Sequence, residues 1–289
     1  MDLLIIILVV LYSSIFLVGF TGNLILVLVT IHSKNLRSIC NILIGTCCFF
    51  DLLLFADIAA FVASIFYETT QRMCFYMNIP ADFGAFASNA CVLAIGIDRL
   101  LAITYPGKYK NIEYNKSFAV FMFLIFPVFY ALYILYVGME QRDPNRIVYC
   151  LLPESLGHAY DLFAITSFVI NLFVPPIYIY VYYKIKRSKR TSMQAIFKSL
   201  LVTVFLVICG WLTTDLCGVL SVVIPMDPDL QKAIQLSCGT FIFSASALTL
   251  PVYYNMSKDY RNAIKKMFGF KVAPTSYNSV TMSRTTSRF

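Results

Sequence analysis

Long apolar runs broken by short polar segments dominate this chain. Seven runs, at residues 3–31, 38–66, 71–104, 115–137, 158–188, 194–224 and 230–254, approach or exceed the length a bilayer-crossing helix needs, about 20 residues. Some of these ranges include turns that project beyond the hydrocarbon. Ser, Thr and Asn dilute the fifth and seventh runs. Proline is expected to interrupt two of the helices, at Pro127 in the fourth run and at Pro175-Pro176 in the fifth. Membrane helices tolerate such breaks where neighbouring helices or water satisfy the freed carbonyls. The pattern predicts an all-α membrane protein, a bundle of seven transmembrane helices.

Composition supports this. Hydrophobic residues make up 59% of the 289 and charged residues only 13%, about half the charged share of a soluble domain. The first run carries no basic flank ahead of it, with Asp2 its only early charge, and is too long for a cleaved signal peptide. It is read as the first membrane helix, with no ligand-capturing domain expected before it.

A net charge of +8 is common in nucleic-acid-binding proteins, but its distribution here argues otherwise. Of the 23 Lys and Arg residues, all but Arg72, Arg142, Arg146 and Lys232 fall on one side of a seven-span arrangement. Positive charge collects on the cytosolic side, so this bias predicts an N-terminus outside and a C-terminus inside. The expected location is the plasma membrane. The expected partners of the basic patches are membrane lipids and a cytosolic protein, with no nucleic acid.

Of nine cysteines, Cys40, Cys47, Cys48, Cys91 and Cys209 fall within spans or toward the cytosol and act as small apolar residues. Cys74 and Cys150 lie on the oxidising side and are the predicted disulfide. Cys217 and Cys238, near the outer ends of the sixth and seventh runs, leave a second bridge open. From Cys74 the third run continues to Arg99 in Gly96-Ile97-Asp98-Arg99-Leu100. Those 25 positions span about 37 Å of helix, enough to cross a tilted bilayer. A thiol thus marks one membrane face and an acid–base pair the other.

Further landmarks fall at ordered positions. Gly22-Asn23 lies in the first run, followed by Lys34-Asn35-Leu36-Arg37-Ser38. Asn41 and Asp51 lie in the second, Cys74, Asp98, Arg99 and Pro106 around the third, and Pro175 and Tyr183 in the fifth. Cys209 and Trp211 lie in the sixth, and Pro251-Val252-Tyr253-Tyr254 in the seventh. As a set these resemble a rhodopsin-like G-protein-coupled receptor over nearly the whole chain. Within that class the chain is similar to the nematode serpentine chemoreceptors of the Srsx type. Cys40-Asn41-Ile42-Leu43-Ile44, Cys74-Phe75-Tyr76 and Gly96-Ile97-Asp98-Arg99-Leu100 carry that narrower likeness.

The resemblance implies a chemosensory or neuropeptide-type receptor that turns extracellular binding of a small molecule or peptide into activation of a heterotrimeric G protein. It makes Asp98 and Arg99 the switch. Arg99 cannot shed its charge and needs an acid or carbonyl partner. In the active state it would swing toward the hydroxyls of Tyr183 and Tyr254. Asp51, deep in an apolar run, becomes a sodium ligand with Ser88, Ser246 and Asn23 nearby. Sodium is the only cofactor implied, and Leu250 stands where the family usually has Asn or Asp before Pro251. Trp211 and Pro251 form the relay, with Thr213 where a kinking proline is usual. Asp259 through Lys266 look like a short amphipathic helix on the inner leaflet. The receptor domain is read as residues 1–268, and 269–289 as a disordered cytoplasmic tail. Ser283, Thr285, Thr286 and Ser287 in that tail are expected phosphorylation sites for arrestin to read.

Three more acids, Asp57, Asp82 and Asp215, lie in the outer halves of the second, third and sixth runs and are assigned to the ligand pocket. The amine-receptor anchor falls on Ala81, one step from Asp82, and the retinal lysine position holds Ser244, so neither ligand is favoured. Intramembrane acids also mark ion pathways, which keeps a transporter or channel as the alternative function. No repeat between halves accompanies them. An enzyme is not expected, because His32 and His158 fall on opposite sides of the membrane and no nucleophile–base or metal-ligand cluster is apparent.

Overall fold

The computed structural model describes residues 2–141, 143, 145–187, 205, 208–221, 223–225 and 227–270. The expected phosphorylation sites Ser283, Thr285, Thr286 and Ser287 lie outside the described residues, as do nearly all of the tail and most of the first half of the sixth run. Among the described residues the chain is helical, apart from one isolated β-bridge between Thr70 and Ile147. Among the described residues, six helical segments are long and apolar enough to cross a membrane, and a shorter apolar helix stands in the sixth run.

In chain order the helices are α1 (Asp2–His32), α2 (Ile39–Leu54), α3 (Ala56–Phe66), α4 (Gln71–Thr104), α5 (Pro106–Tyr114), α6 (Lys116–Gln141), α7 (Leu152–Leu156) and α8 (Ala159–Arg187). They are followed by α9 (Ile208–Ser221), α10 (Pro228–Ala247), α11 (Thr249–Met256) and α12 (Lys258–Met267). Side-chain oxygens fix several starts. Ser38 accepts from the Asn41 N–H at 3.3 Å, Thr70 from Met73 at 3.3 Å and Ser257 from Tyr260 at 3.4 Å. Each cap satisfies one amide left over in a first turn.

The expected proline interruptions are not where the spans break. Helix α6 runs through Pro127, α8 through Pro175 and Pro176, and α4 through Pro80. A proline removes one internal hydrogen bond, a loss that packed neighbours can absorb. The second span breaks instead at Phe55 between α2 and α3, and the seventh at Leu248 between α10 and α11. Pro251 accounts for the latter, since it offers no N–H to the Ala247 carbonyl and its ring crowds that oxygen. At Phe55 the backbone tightens, with Ile58 N–H donating to the Phe55 carbonyl three residues back at 3.2 Å. On an unbroken helix Asp51 and Asp57 would sit about 120° apart. A tight turn advances each residue further and narrows that offset. Both carboxylates are buried.

Helix α4 forms the axis, with α2, α6 and α8 packed around it. It approaches the second span closely at Gly84, where an added Cβ would lie 2.5 Å from the Phe50 carbonyl oxygen and 2.7 Å from the Leu54 nitrogen. Large apolar side chains cover the outside, while polar side chains lie buried among the apolar core. Phe121, Phe129, Phe173 and Ile179 are exposed, while Asn78, Asp82, Asn89 and Asn171 are fully buried. That inversion suits a lipid surround.

Candidate functional site

At one end of α4, Cys74 is disulfide-bonded to Cys150, with the Cα atoms 5.2 Å apart. The bond ties α4 to the segment between α6 and α8, and shorter links reinforce it. Gln71 N–H donates to the Arg146 carbonyl at 2.7 Å, Val148 N–H to Thr69 at 3.0 Å, and Cys150 N–H to the Ser64 hydroxyl at 2.9 Å. The buried Gln71 side chain donates to the Glu154 carbonyl at 3.0 Å and accepts from Asp143 N–H at 2.8 Å. Arg146 pairs with Glu154 at 3.0 Å. Gly157 closes the segment at φ +57°, and a Cβ there would lie 2.3 Å from Gln71 Nε2. The positive φ favours glycine, and a larger residue would also displace the Gln71 amide.

Between these anchors α7 drops into the bundle, with Ser155 and Leu156 fully buried. Ser155 Oγ donates to Asp82 at 2.7 Å. Asp57 accepts from Asn78 Nδ2 at 2.7 Å and from the Leu152 backbone N–H. Two of the three acids assigned to a ligand pocket therefore hold this lid. Beneath it is a cavity of about 40 Å³, with Asp57, Trp211, Thr214, Asp215 and Gln235 in its wall. That is room for water rather than a ligand. Asp82 is not part of its wall. Above it opens a cleft of about 390 Å³ walled by Glu68, Tyr149, Leu151, Pro153, Glu154 and Gln235, among others. Leu151, Pro153 and Gln235 face both spaces.

Two polar clusters occupy the middle. Asp215 accepts from Ser167 at 2.8 Å and Asn171 at 3.1 Å, and Asn89 donates to the same Ser167 hydroxyl, linking α4, α8 and α9. One turn along α9, Trp211 sets its ring edge-on to Phe163 at 6.2 Å, and Phe163 meets Phe86 at 4.6 Å. Farther along, Asp51 accepts from Ser88 at 2.5 Å and from Ser246 at 2.7 Å. Asn23 Nδ2 donates to the Ser246 carbonyl at 3.2 Å, while its Oδ1 is buried with no partner among the described residues.

At the far end of α4, Arg99 donates to Asp98 Oδ2 through Nε at 2.8 Å and Nη2 at 2.5 Å. A third member is Tyr109 of α5, whose hydroxyl donates to Asp98 Oδ1 at 2.7 Å and accepts from Arg99 Nη2 at 3.3 Å. Burial, then the nearby Asp98 charge, raises the Tyr109 phenol above its ordinary range, so it stays a proton donor. Tyr183 points out of the bundle at 67% exposure, and Tyr254 faces α1 and α12. Neither bonds Arg99 in this arrangement.

Sequence reasoning missed Tyr109, Asn78, Asn89, Ser155, Ser167 and Asn171. Pro106 was the available sign for Tyr109, because proline suits a first helical turn and so predicts α5. Asn78, Asn89, Ser167 and Asn171 carried the same sign as the acids, a polar side chain within an apolar run.

Residues 16–268 match the family described as serpentine type 7TM GPCR chemoreceptor Srsx. Among curated proteins, growth hormone secretagogue receptor type 1 of Homo sapiens is 24% identical over 293 residues, covering 89% of this chain and 79% of that receptor. The same receptor of Mustela putorius furo is 25% identical with equal coverage. Somatostatin receptor type 2 of Mus musculus is 21% identical over 279 residues, covering 88% of this chain and 75% of the relative. The relatives are receptors, and the apolar helices make this a multi-pass protein of the plasma membrane. The chain belongs to the Srsx family of seven-transmembrane chemoreceptors, and its function is that of a G-protein-coupled receptor.

Proposed function

We propose that this receptor takes a chemosensory or neuropeptide-type ligand in the cleft above α7 and passes the signal along α4 to the Asp98–Arg99–Tyr109 lock. The observation that carries this reading is the contrast between the ends of α4: a cross-linked lid over a cavity at Cys74, and a charge lock at Arg99. The positive charge clustered beyond the Arg99 end supports an outside N-terminus and a cytoplasmic C-terminus. On that topology α12 is the amphipathic helix of the inner leaflet. Residues 1–268 are the receptor body and 269–289 a tail for arrestin. The relatives' names, receptors for somatostatin and for growth hormone secretagogues, support an extracellular ligand.

The lid connects ligand to lock. A ligand that pulls on Tyr149 through Glu154 strains the bonds of α7 to Asp57 and Asp82, and so bears on the second and third spans. The neighbouring Asp215–Trp211 wall offers a route to the sixth. Cells expressing the receptor with a promiscuous G protein, challenged with small odorants, amines and peptide pools, provide the test. Any agonist found should lose about tenfold in potency with Tyr149→Ala, as a central contact does. Tyr133→Ala, exposed on α6 away from the cleft, should leave it unchanged. Agonist potency indifferent to substitutions throughout the cleft would remove the ligand from this site.

Sodium belongs to the same proposal. Asp51, the Ser88 and Ser246 hydroxyls and the orphaned Asn23 Oδ1 form an all-oxygen set of the kind a hard cation prefers. Leu250 adds no oxygen. Bound sodium would neutralise the Asp51 carboxylate and hold the second and seventh spans together. Replacing choline with sodium should raise the melting temperature of the purified receptor by on the order of 2–4 °C. Asp51→Asn should abolish that shift, and an equal shift in the variant would exclude the site.

A further inference from the structure

Near the Arg99 end, α1, α11 and α12 enclose a groove of about 720 Å³ that belongs to neither the ligand cleft nor the lock. Its walls are Ile25 from α1, Leu250, Pro251, Tyr254 and Asn255 from α11, and Ile264, Lys265, Phe268 and Phe270 from α12 and just beyond. Helix α12 is fixed against the bundle through two buried side chains, Tyr260 and Ile264. Tyr260 is buried with its ring 4.8 Å from that of Tyr253, and its hydroxyl lies 3.3 Å from Thr30 Oγ1. On the groove side the helix offers Ile264, and the exposed Phe268 and Phe270 follow just past its end.

Charge at the rim indicates the occupant. Lys265 is half-buried in the groove wall and has no carboxylate partner among the described residues. Lys266 is beside it, and Arg261 reaches the Asn255 carbonyl at 3.2 Å along another wall. The contents must therefore be apolar along their length and anionic at one end. No cysteine follows Cys238 in the sequence, so no thioester-linked acyl chain on this helix fills the space. Leu250 takes part as well. Where the family's usual polar residue would serve the core, this leucine lines the groove and packs toward Gly22.

We propose that the groove binds one anionic diacyl phospholipid, with an acyl chain along Leu250, Pro251, Tyr254 and Phe268 and a headgroup of net negative charge, free of the choline cation, on Lys265. The inference rests on α12 lying at the inner leaflet. The lipid touches α11 on both sides of Pro251, so its occupancy sets the position of the inner end of the seventh span. Anionic lipid in the inner leaflet thereby becomes a modulator of the receptor.

Native mass spectrometry of the purified full-length receptor, titrated with phosphatidylserine and with phosphatidylcholine, tests this without requiring an agonist. Wild type should retain one phosphatidylserine at concentrations where phosphatidylcholine is lost. Lys265→Glu exchanges an attraction for a repulsion at the headgroup and should weaken retention by about tenfold or more. Asn255→Trp should weaken it by filling the wall. Lys186→Glu, an exposed charge at the end of α8, should have less than about a twofold effect. Equal retention of the two lipids, or full retention in both groove variants, overturns the proposal. Because the readout is a bound mass, failure here leaves G-protein activation as a separate question. Conversely, a receptor that binds the lipid but activates no G protein faults only the signalling reading.

Discussion

Serine at Cys74 or at Cys150 should remove most of the receptor from the cell surface and abolish ligand response in what remains. The bond closes a loop across a separation of 76 residues. Loss of such a crosslink costs about 2–4 kcal/mol, a large share of the margin that keeps a domain folded. Its removal also frees the segment that presents Tyr149 through Glu154 and positions α7. The ties from Gln71, Ser64, Asp57 and Asp82 would remain, so the transmembrane bundle should still assemble in detergent with a lowered melting temperature. The double substitution should be no worse than either single one, because the two sulfurs act as one unit. Surface labelling against total receptor, with thermal unfolding of the purified variants, measures both effects. Wild-type surface level and stability in either variant would deny the lid its structural role.

The second large effect is expected at the lock. Asp98 is fully buried and accepts from three donors, two on Arg99 and one on Tyr109. Asp98→Asn removes the charge that makes those bonds strong, each worth about 1.5–3 kcal/mol when an ion takes part. An active state normally populated at a small percentage would then rise on the order of tenfold, since about 1.4 kcal/mol shifts an equilibrium by that factor. The variant should activate G protein without agonist. Tyr109→Phe removes one donor of the three and should raise basal activation by about two- to fivefold on the same scale. Guanine-nucleotide exchange by reconstituted G protein provides the readout. Basal rates equal to wild type in both variants would show that these contacts do not restrain the resting state.

The spans were legible because lipid imposes one rule on every residue facing it. The third span, expected at 71–104, is α4 at Gln71–Thr104. Breaks within spans were harder to read. Proline signals where a hydrogen bond is missing but not whether packing will hold the helix straight, so Pro127 and Pro175 misled while Phe55 gave no warning. Helix α7 was not legible either. Its five residues form where they do because Asp57, Asp82 and Gln71, more than 70 positions earlier, are there to receive them. The acids could be found as costly residues, yet their grouping could not. Asp57 and Asp215 share a cavity wall, whereas Asp82 faces Ser155 instead. Tyr109 remained hidden because a tyrosine in a polar loop is unremarkable until the loop folds back on Asp98.

On the proposed mechanism Arg99, once released from Asp98, carries the signal to the G protein. Exchange assays on purified receptor in the Asp98→Asn background, with and without Arg99→Ala and with an equal amount of folded protein for each, separate release from transmission. Agonist-free exchange should rise well above wild type for Asp98→Asn and fall to the receptor-free rate when Arg99 is also alanine. Undiminished exchange by the double variant would contradict that mechanism.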